Sequence, residues 1–268
     1  EEAIIHYLGQ EMKMVPVDQL GASNRVRDAQ GRYIEFCKAS LPSFFSLYGL
    51  KIALDCAHGA TTTVARHVFS ELGAEVVCIG NAPDGLNINH QCGSLDMRSL
   101  KDTVLKQNAD IGIAFDGDGD RVLMVNHLGQ EVDGDQILYI LACDSKREGL
   151  LGEGGVVGTA MSNLGLEIAL NQLGIPFDRT KVGDRYVMER LHEKNWYIGG
   201  ESSGHIIWLS STTTGDGIVG ALQVLAVMIK QGKSLQDLLQ GYYSCPQVLI
   251  NIELKDKLTA LQLEAVQE

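Results

Sequence analysis

The 268-residue chain states one pattern twice, and that repetition limits its fold more than any other feature. Lys51-Ile-Ala-Leu-Asp55 has the makings of a short buried strand. Cys-Ala-His-Gly-Ala60 follows as a turn, then an amphipathic helix from Thr62 to Leu72 that Gly73 closes, then a returning strand over Ala74–Ile79. The order recurs in Gly155–Thr159, in Ser162–Leu173 ending in Leu-Gly, and in Ile175–Arg179. Each copy continues through a further helix, Leu95–Lys106 or Asp184–Glu193, into a strand, a special turn and another strand. Two repeated α/β modules with mixed sheets are the expected fold. A helix over Gly134–Lys146 opens the second module and one over Asp216–Ile229 closes it. The first copy has a long loop, Gly80–Ser94, where the second has only Lys181-Val-Gly183, and equivalent turns on equivalent modules suggest a cleft between them.

The first special turn is Asp116-Gly-Asp-Gly-Asp-Arg121, set between the apolar runs Asp110–Phe115 and Val122–Val125. Gly117 and Gly119 allow the carboxylates of Asp116, Asp118 and Asp120 to converge on one point. Three anions that close repel unless a cation lies among them, and hard oxygen ligands select Mg²⁺ or Ca²⁺. An EF-hand would need Gly and Glu where Arg121 and His127 stand. Three protein ligands would leave a six-coordinate Mg²⁺ with room for phosphate and water, and Arg121 would pair with that phosphate. A solvated acidic hairpin is the plainer alternative; it accounts for one Asp-Gly, poorly for three acids in alternation.

The matching turn of the second copy is Gly200-Glu-Ser-Ser-Gly-His205. A carboxylate, hydroxyls and an imidazole on a glycine-flanked turn suit the vicinal hydroxyls or amine of a sugar. His205 is either a proton shuttle or a structural residue ahead of an apolar strand. Thr180-Lys-Val-Gly-Asp-Arg-Tyr186 sets Lys181 and Arg185 around a helix start, fit for an anionic group; the alternative is a helix capped by Asp184 with both cations solvated. Asp55–Ala60 reads as support for the core. Pro83–Asn89 with Cys92-Gly-Ser94 reads as a polar loop bordering the cleft, and no dinucleotide or P-loop fingerprint follows a strand.

A net charge of −12 disfavours nucleic acid and anionic membranes, so an anionic substrate needs local cations or helix N-termini. No apolar run approaches a membrane span, and no signal-peptide pattern is present. Six cysteines without a Cys-x-x-Cys pair fit free thiols in a reducing cytoplasm.

Asp116–Arg121 and Gly200–His205 together resemble the metal loop and sugar loop of the α-D-phosphohexomutases. Gly31–Lys38, Pro83–Asn89, Val182–Val187 and Thr213-Thr-Gly-Asp-Gly-Ile218 are similar to the bacterial amino-sugar branch of that family. The resemblance implies a four-domain α/β enzyme that interconverts the 6- and 1-phosphates of glucosamine through a phosphoserine and a bisphosphate, with a small phosphosugar as its partner and a possible homodimer at full length. It makes Asp116, Asp118 and Asp120 the Mg²⁺ ligands and Arg121 a phosphate contact. Glu201 and Ser203 would hold sugar hydroxyls, His205 and Lys181 would line the site, and Ser202 has no assigned part. The family's Ser-His-Asn-Pro loop and Arg-x-Ser-Gly-Thr-Glu-Pro clamp do not occur in this sequence. The implied division is 1–30 as the tail of a first domain, 31–132 as the metal-binding domain, 133–243 as the sugar-binding domain and 244–268 as the start of a fourth, the piece alone being inactive. A mutase of neutral hexose phosphates, a Mg²⁺-dependent phosphatase and a Ca²⁺-stabilised binding module are the rival readings.

Overall fold

The computed structural model describes residues 2–11 and 14–248. In sequence, Pro246–Leu254 alternates like a strand and Lys257–Glu268 reads as a polar helix; from residue 249 on both lie outside the described residues. A short helix α1 (Glu2–Leu8) precedes α2 (Ala29–Ala39). The first module then runs β1 (Lys51–Asp55), α3 (Ala65–Glu71), β2 (Glu75–Ile79), α4 (Arg98–Gln107), β3 (Ile111–Phe115), β4 (Val122–Asn126) and β5 (Glu131–Val132). The second runs α5 (Gly134–Arg147), β6 (Val156–Thr159), α6 (Leu164–Gln172), β7 (Phe177–Thr180), α7 (Asp184–Lys194), β8 (Ile198–Gly200), β9 (Ile206–Trp208) and α8 (Gly217–Gln231), with α9 (Leu235–Leu238) after it.

The repetition in sequence is a repetition in space. The five-stranded sheet has the order β2-β1-β3-β4-β5 and the four-stranded sheet β7-β6-β8-β9, so the first four strands match one for one. In each, two parallel pairs are followed by an antiparallel one: β1 pairs with β2 and β3, then β3 with β4; β6 pairs with β7 and β8, then β8 with β9. Fully buried strands such as β3 read as unbroken apolar runs because helices cover both faces. α4 closes one face of the first sheet through Leu100 and Val104 against Ala53, Ala114 and Val125. Val187 and Leu191 of α7 do the same for the second, against Val157 and Ile207. The opposite faces of both sheets merge into one core that includes Phe69, Phe115, Leu138, Leu222 and Leu225, so the two modules share a continuous apolar interior.

Helix starts depart from the sequence reading where local hydrogen bonds intervene. Ala60–Thr63 is a 3₁₀ turn, with three consecutive threonines disfavouring α-helix, and α3 begins only at Ala65. Gly93–Leu95 forms another such turn before α4. Asn163 caps α6 by accepting the Gly165 N–H, so that helix starts beyond Ser162. No helix among the described residues is long and apolar enough to cross a membrane.

Candidate active site

The acidic turn joins two antiparallel strands, Phe115 opposite Val122, and its carboxylates gather on one side. Single oxygens of Asp116, Asp118 and Asp120 all lie within 4.8 Å of one another. Asp116 is only 8% exposed and Gly117 and Gly119 are buried, which is no solvated hairpin. Asp116 Oδ1 accepts the N–H groups of Gly119 and Arg121 at 3.2 and 3.1 Å, curling the turn, and Gly119 takes φ +80°, open to glycine at little cost. Burial first, then a hydrogen bond to Asp118, pushes the Asp116 carboxyl up to about 7, and that same bond holds Asp118 below its usual range. Asp120 Oδ1 is buried without a hydrogen-bond partner. Converging hard oxygens, one of them orphaned, fit a divalent cation such as Mg²⁺ or Ca²⁺.

The backbone of this turn is held from outside by two helical starts. Ala60 N–H donates to Gly117 O at 2.8 Å and Gly217 N–H, at the head of α8, to Gly119 O at 2.9 Å. Both contacts need a missing side chain. A Cβ on Gly59 would stand 2.1 Å from Gly117 O, and one on Gly217 2.6 Å from Arg121 O. Ile88 and Asn89 of the long loop lie against Gly117, so the loop does border the acidic turn.

The second special turn meets the first directly. Arg121 and His205 form an isolated antiparallel bridge, Val122 N–H donates to Gly204 O at 2.9 Å, and His205 Nδ1 is 3.0 Å from Asp120 Oδ2. His205 is 4% exposed; its Nε2 has no hydrogen-bond partner among the described residues and lies 3.9 Å from Asp184 Oδ2. Arg121 Nε is likewise without a hydrogen bond, 3.9 Å from Asp120 Oδ1. Glu201 Oε1 accepts Gly183 N–H at 2.9 Å, drawing the Lys181–Gly183 turn to the same place, and Ser203 is exposed at the tip. Asp184 does not cap α7: Gly183 holds the cap position, without a side-chain bond. His205 lines a cavity of about 620 Å³ with Arg185, Thr213 and Thr214. Lys181 opens on another of about 330 Å³ and stands 5.9 Å over the Tyr186 ring.

Sequence reasoning gave no part to three groups found here. Gly59 and Ala60, read as core support, carry Gly117. Asp216 and Gly217 sit beneath Gly119, and Tyr33 donates its hydroxyl to Asp216 Oδ2 at 2.8 Å. Tyr33 and Asp216–Gly217 fall in two of the stretches similar to the family, Gly31–Lys38 and Thr213–Ile218, but those stretches carried no role for them, and glycines next to polar residues in Cys56–Ala60 mark any turn.

Comparison with known proteins agrees with this architecture. The family described as phosphoglucomutase/phosphomannomutase, alpha/beta/alpha domain II, matches residues 32–129, and its domain III matches residues 133–245. The chain is 56% identical to a phosphoglucosamine mutase of Photorhabdus laumondii over 99% of its own length and 60% of that protein. It is 58% identical to a phosphoglucosamine mutase of Cronobacter sakazakii over 94% of its length and 56% of that protein. The chain thus spans about three fifths of the curated relatives it matches. Among solved structures, Aspergillus fumigatus N-acetylphosphoglucosamine mutase in complex with GlcNAc-6P and magnesium shares the fold at a TM-score of 0.69, 19% identity, 89% of this chain and 61% of that one. With two family domains end to end over most of its length, the chain belongs to the phosphoglucomutase/phosphomannomutase family, of which it carries the second and third α/β/α domains.

Proposed function

We propose that this chain is the metal- and sugar-holding part of a hexosamine-phosphate mutase, with 31–132 as the metal-binding module and 133–243 as the sugar-binding module. The observation that carries the reading is the bridge between Arg121 and His205 with His205 on Asp120, since it joins the acidic turn to the Gly200–His205 turn. The curated relatives are phosphoglucosamine mutases, and the Aspergillus fumigatus protein is described with magnesium and an amino-sugar phosphate. Glucosamine 6-phosphate and glucosamine 1-phosphate are the proposed substrates and Mg²⁺ the proposed ion. All six cysteines are free, which suits a reducing cytoplasm.

When bound, Mg²⁺ offsets negative charge on a phosphoryl group in transfer. Asp116, Asp118 and Asp120 would hold it; Asp120 keeps Oδ1 for that purpose while Oδ2 rests on His205. The half-exposed Arg121 guanidinium offers its terminal N–H groups to phosphate, while its buried Nε lies 3.9 Å from Asp120 Oδ1. Glu201 and Ser203 take sugar hydroxyls or the amine. His205, which lines the larger cavity, keeps its Nε2 buried 3.9 Å from Asp184 Oδ2, and the pair is suited to hold a proton beside the sugar once a ligand opens that contact. Lys181 adds positive charge at the edge. Groups on two modules let a bisphosphate bind in either orientation, as exchange of its two phosphates requires.

The test is saturation-transfer NMR of glucosamine 6-phosphate with the chain, with and without Mg²⁺. Binding that Glu201→Ala and Ser203→Ala both weaken is expected. Equal binding by the unaltered chain and both variants refutes the sugar assignment.

A further inference from the structure

The acidic turn hangs from α8, and α8 is itself held by a residue far away in the chain. Asp216 is the N-cap of this helix: its Oδ1 accepts Val219 N–H at 3.0 Å and its main-chain oxygen accepts Gly220 N–H at 2.8 Å. Its other carboxylate oxygen accepts the Tyr33 hydroxyl at 2.8 Å, from α2. The next residue, Gly217, donates to Gly119 O, and Gly119 lies between Asp118 and Asp120. The Tyr33 ring also lines a cavity of about 410 Å³ with Thr61, Asp118 and Gly119. Burial, then the charge of Asp216, raises the Tyr33 hydroxyl above its ordinary range, so it stays a donor.

From this chain of bonds we infer that Tyr33 is a positioning residue for the metal turn, acting through Asp216 and the first residue of α8. An unpinned Asp216 carboxylate can turn about its χ angles and leave the cap; the first turn of α8 then loosens, and Gly119 O loses the fixed N–H that sets the separation of Asp118 from Asp120. The positive end of a 15-residue helix also abuts the main chain of the turn that carries the three acids, and that partial charge is useful only while the helix end stays where it is. The inference rests on the metal reading of Asp116, Asp118 and Asp120.

The experiment follows Mn²⁺ binding by electron paramagnetic resonance, with Mg²⁺ competition, in the unaltered chain, Tyr33→Phe, Asp216→Ala and the double variant, alongside thermal melting without metal. Tyr33→Phe keeps the ring and its packing. Partners one step beyond metal ligands change affinity about 10–100-fold, and Tyr33 is further out, so a loss of roughly three- to tenfold is expected. In the Asp216→Ala background the same change should cost almost nothing, since the acceptor of the Tyr33 hydroxyl is already gone. A full Tyr33 effect that persists there overturns the route through Asp216. Lower melting temperature with unchanged Mn²⁺ affinity makes Tyr33 a packing residue and overturns the inference alone. No Mn²⁺ binding by the unaltered chain overturns the metal reading and this inference with it.

Discussion

Gly59→Ala isolates what the neighbouring backbone contributes to the acidic turn. Gly59 has φ −109° and ψ −158°, a region alanine enters freely, so the substitution introduces no strain within the residue itself. All of the cost comes from the new Cβ, which would lie 2.1 Å from Gly117 O and 2.8 Å from Gly117 C and Cα. Ordinary contact begins at 3.4 Å, so the shortfall is 3.4 − 2.1 = 1.3 Å, and every atom in the way is main chain that cannot rotate aside. Relief requires the 56–63 turn and the metal turn to part, which also stretches the 2.8 Å bond from Ala60 N–H to Gly117 O. Overpacking costs about 1–3 kcal/mol and a lost buried hydrogen bond about 1–3 kcal/mol, so the metal-free chain should lose roughly 2–5 kcal/mol. Displacing Gly117 moves Asp116 and Asp118 apart, and Mg²⁺ affinity should fall by about one to two orders of magnitude. Urea unfolding with and without Mg²⁺ reads both quantities. Gly31→Ala is the control: it lies in α2 with no atom within 4 Å of the new Cβ, so it should gain about 0.5–1 kcal/mol and leave affinity unchanged. A Gly59→Ala chain with the parent's urea midpoint and Mg²⁺ affinity would refute the account of a turn held by close backbone contact.

Asp118→Asn should weaken Mg²⁺ binding in calorimetry while leaving the metal-free fold intact, because Asp118 is exposed and the amide oxygen can still accept from Asp116; unchanged affinity means the acids do not hold an ion. Mg²⁺ binding should be coupled to proton release: Asp116 keeps a proton up to about pH 7, so affinity measured across buffers should fall as pH drops below 7 and level off above it. The sign for stability without metal is opposite to that of an ion-paired acid. A carboxyl raised in the folded state binds its proton more tightly there, so stability should decline from about pH 4 to about pH 7, a trend that urea midpoints check and saturating Mg²⁺ should abolish. Glu201→Ala should cost roughly 1–3 kcal/mol of sugar-phosphate binding by NMR titration; a melting temperature that falls in step with affinity would mark Glu201 as the tether of Gly183 alone. Incubated with glucosamine 6-phosphate, Mg²⁺ and a trace of the 1,6-bisphosphate, the chain should form no 1-phosphate detectable by phosphorus NMR, since neither the serine loop nor the phosphate clamp of the family occurs in its sequence.

Local pattern made the repeat legible. β1 falls on Lys51–Asp55 as the apolar run indicates, and the doubled strand, helix and strand order appears as two sheets of matching connectivity. The acidic triad was legible because three like charges on adjacent glycine-spaced positions have few other uses. What escaped is tertiary. Asp120 and His205 are 85 residues apart and Tyr33 and Asp216 183 apart, and no periodicity encodes such pairings. The two-residue β5 exists only because Val132 and Glu131 find Met124 and Val125, and the four-residue α9 is set by the reciprocal cap of Ser234 and Asp237. His205 read in sequence as either a proton shuttle or a structural residue; in the fold one ring nitrogen is committed to Asp120 and the other is buried 3.9 Å from Asp184 Oδ2.

The main-chain ties that cross from one module to the other at this place, Val122 to Gly204 and Gly217 to Gly119, end on the turn between β3 and β4. The turn is therefore a pivot as well as a binding loop. A shift of one module against the other bears on this turn as well as on the shared apolar interior, and it reaches a segment whose carboxylate oxygens are already within 4.8 Å of each other. Seating an ion fixes that spacing and so stiffens the joint, while a ligand gripping both modules changes the tilt and alters the grip on the ion by the same free energy. An ion held by Asp116, Asp118 and Asp120 would thus sense how the two modules pack.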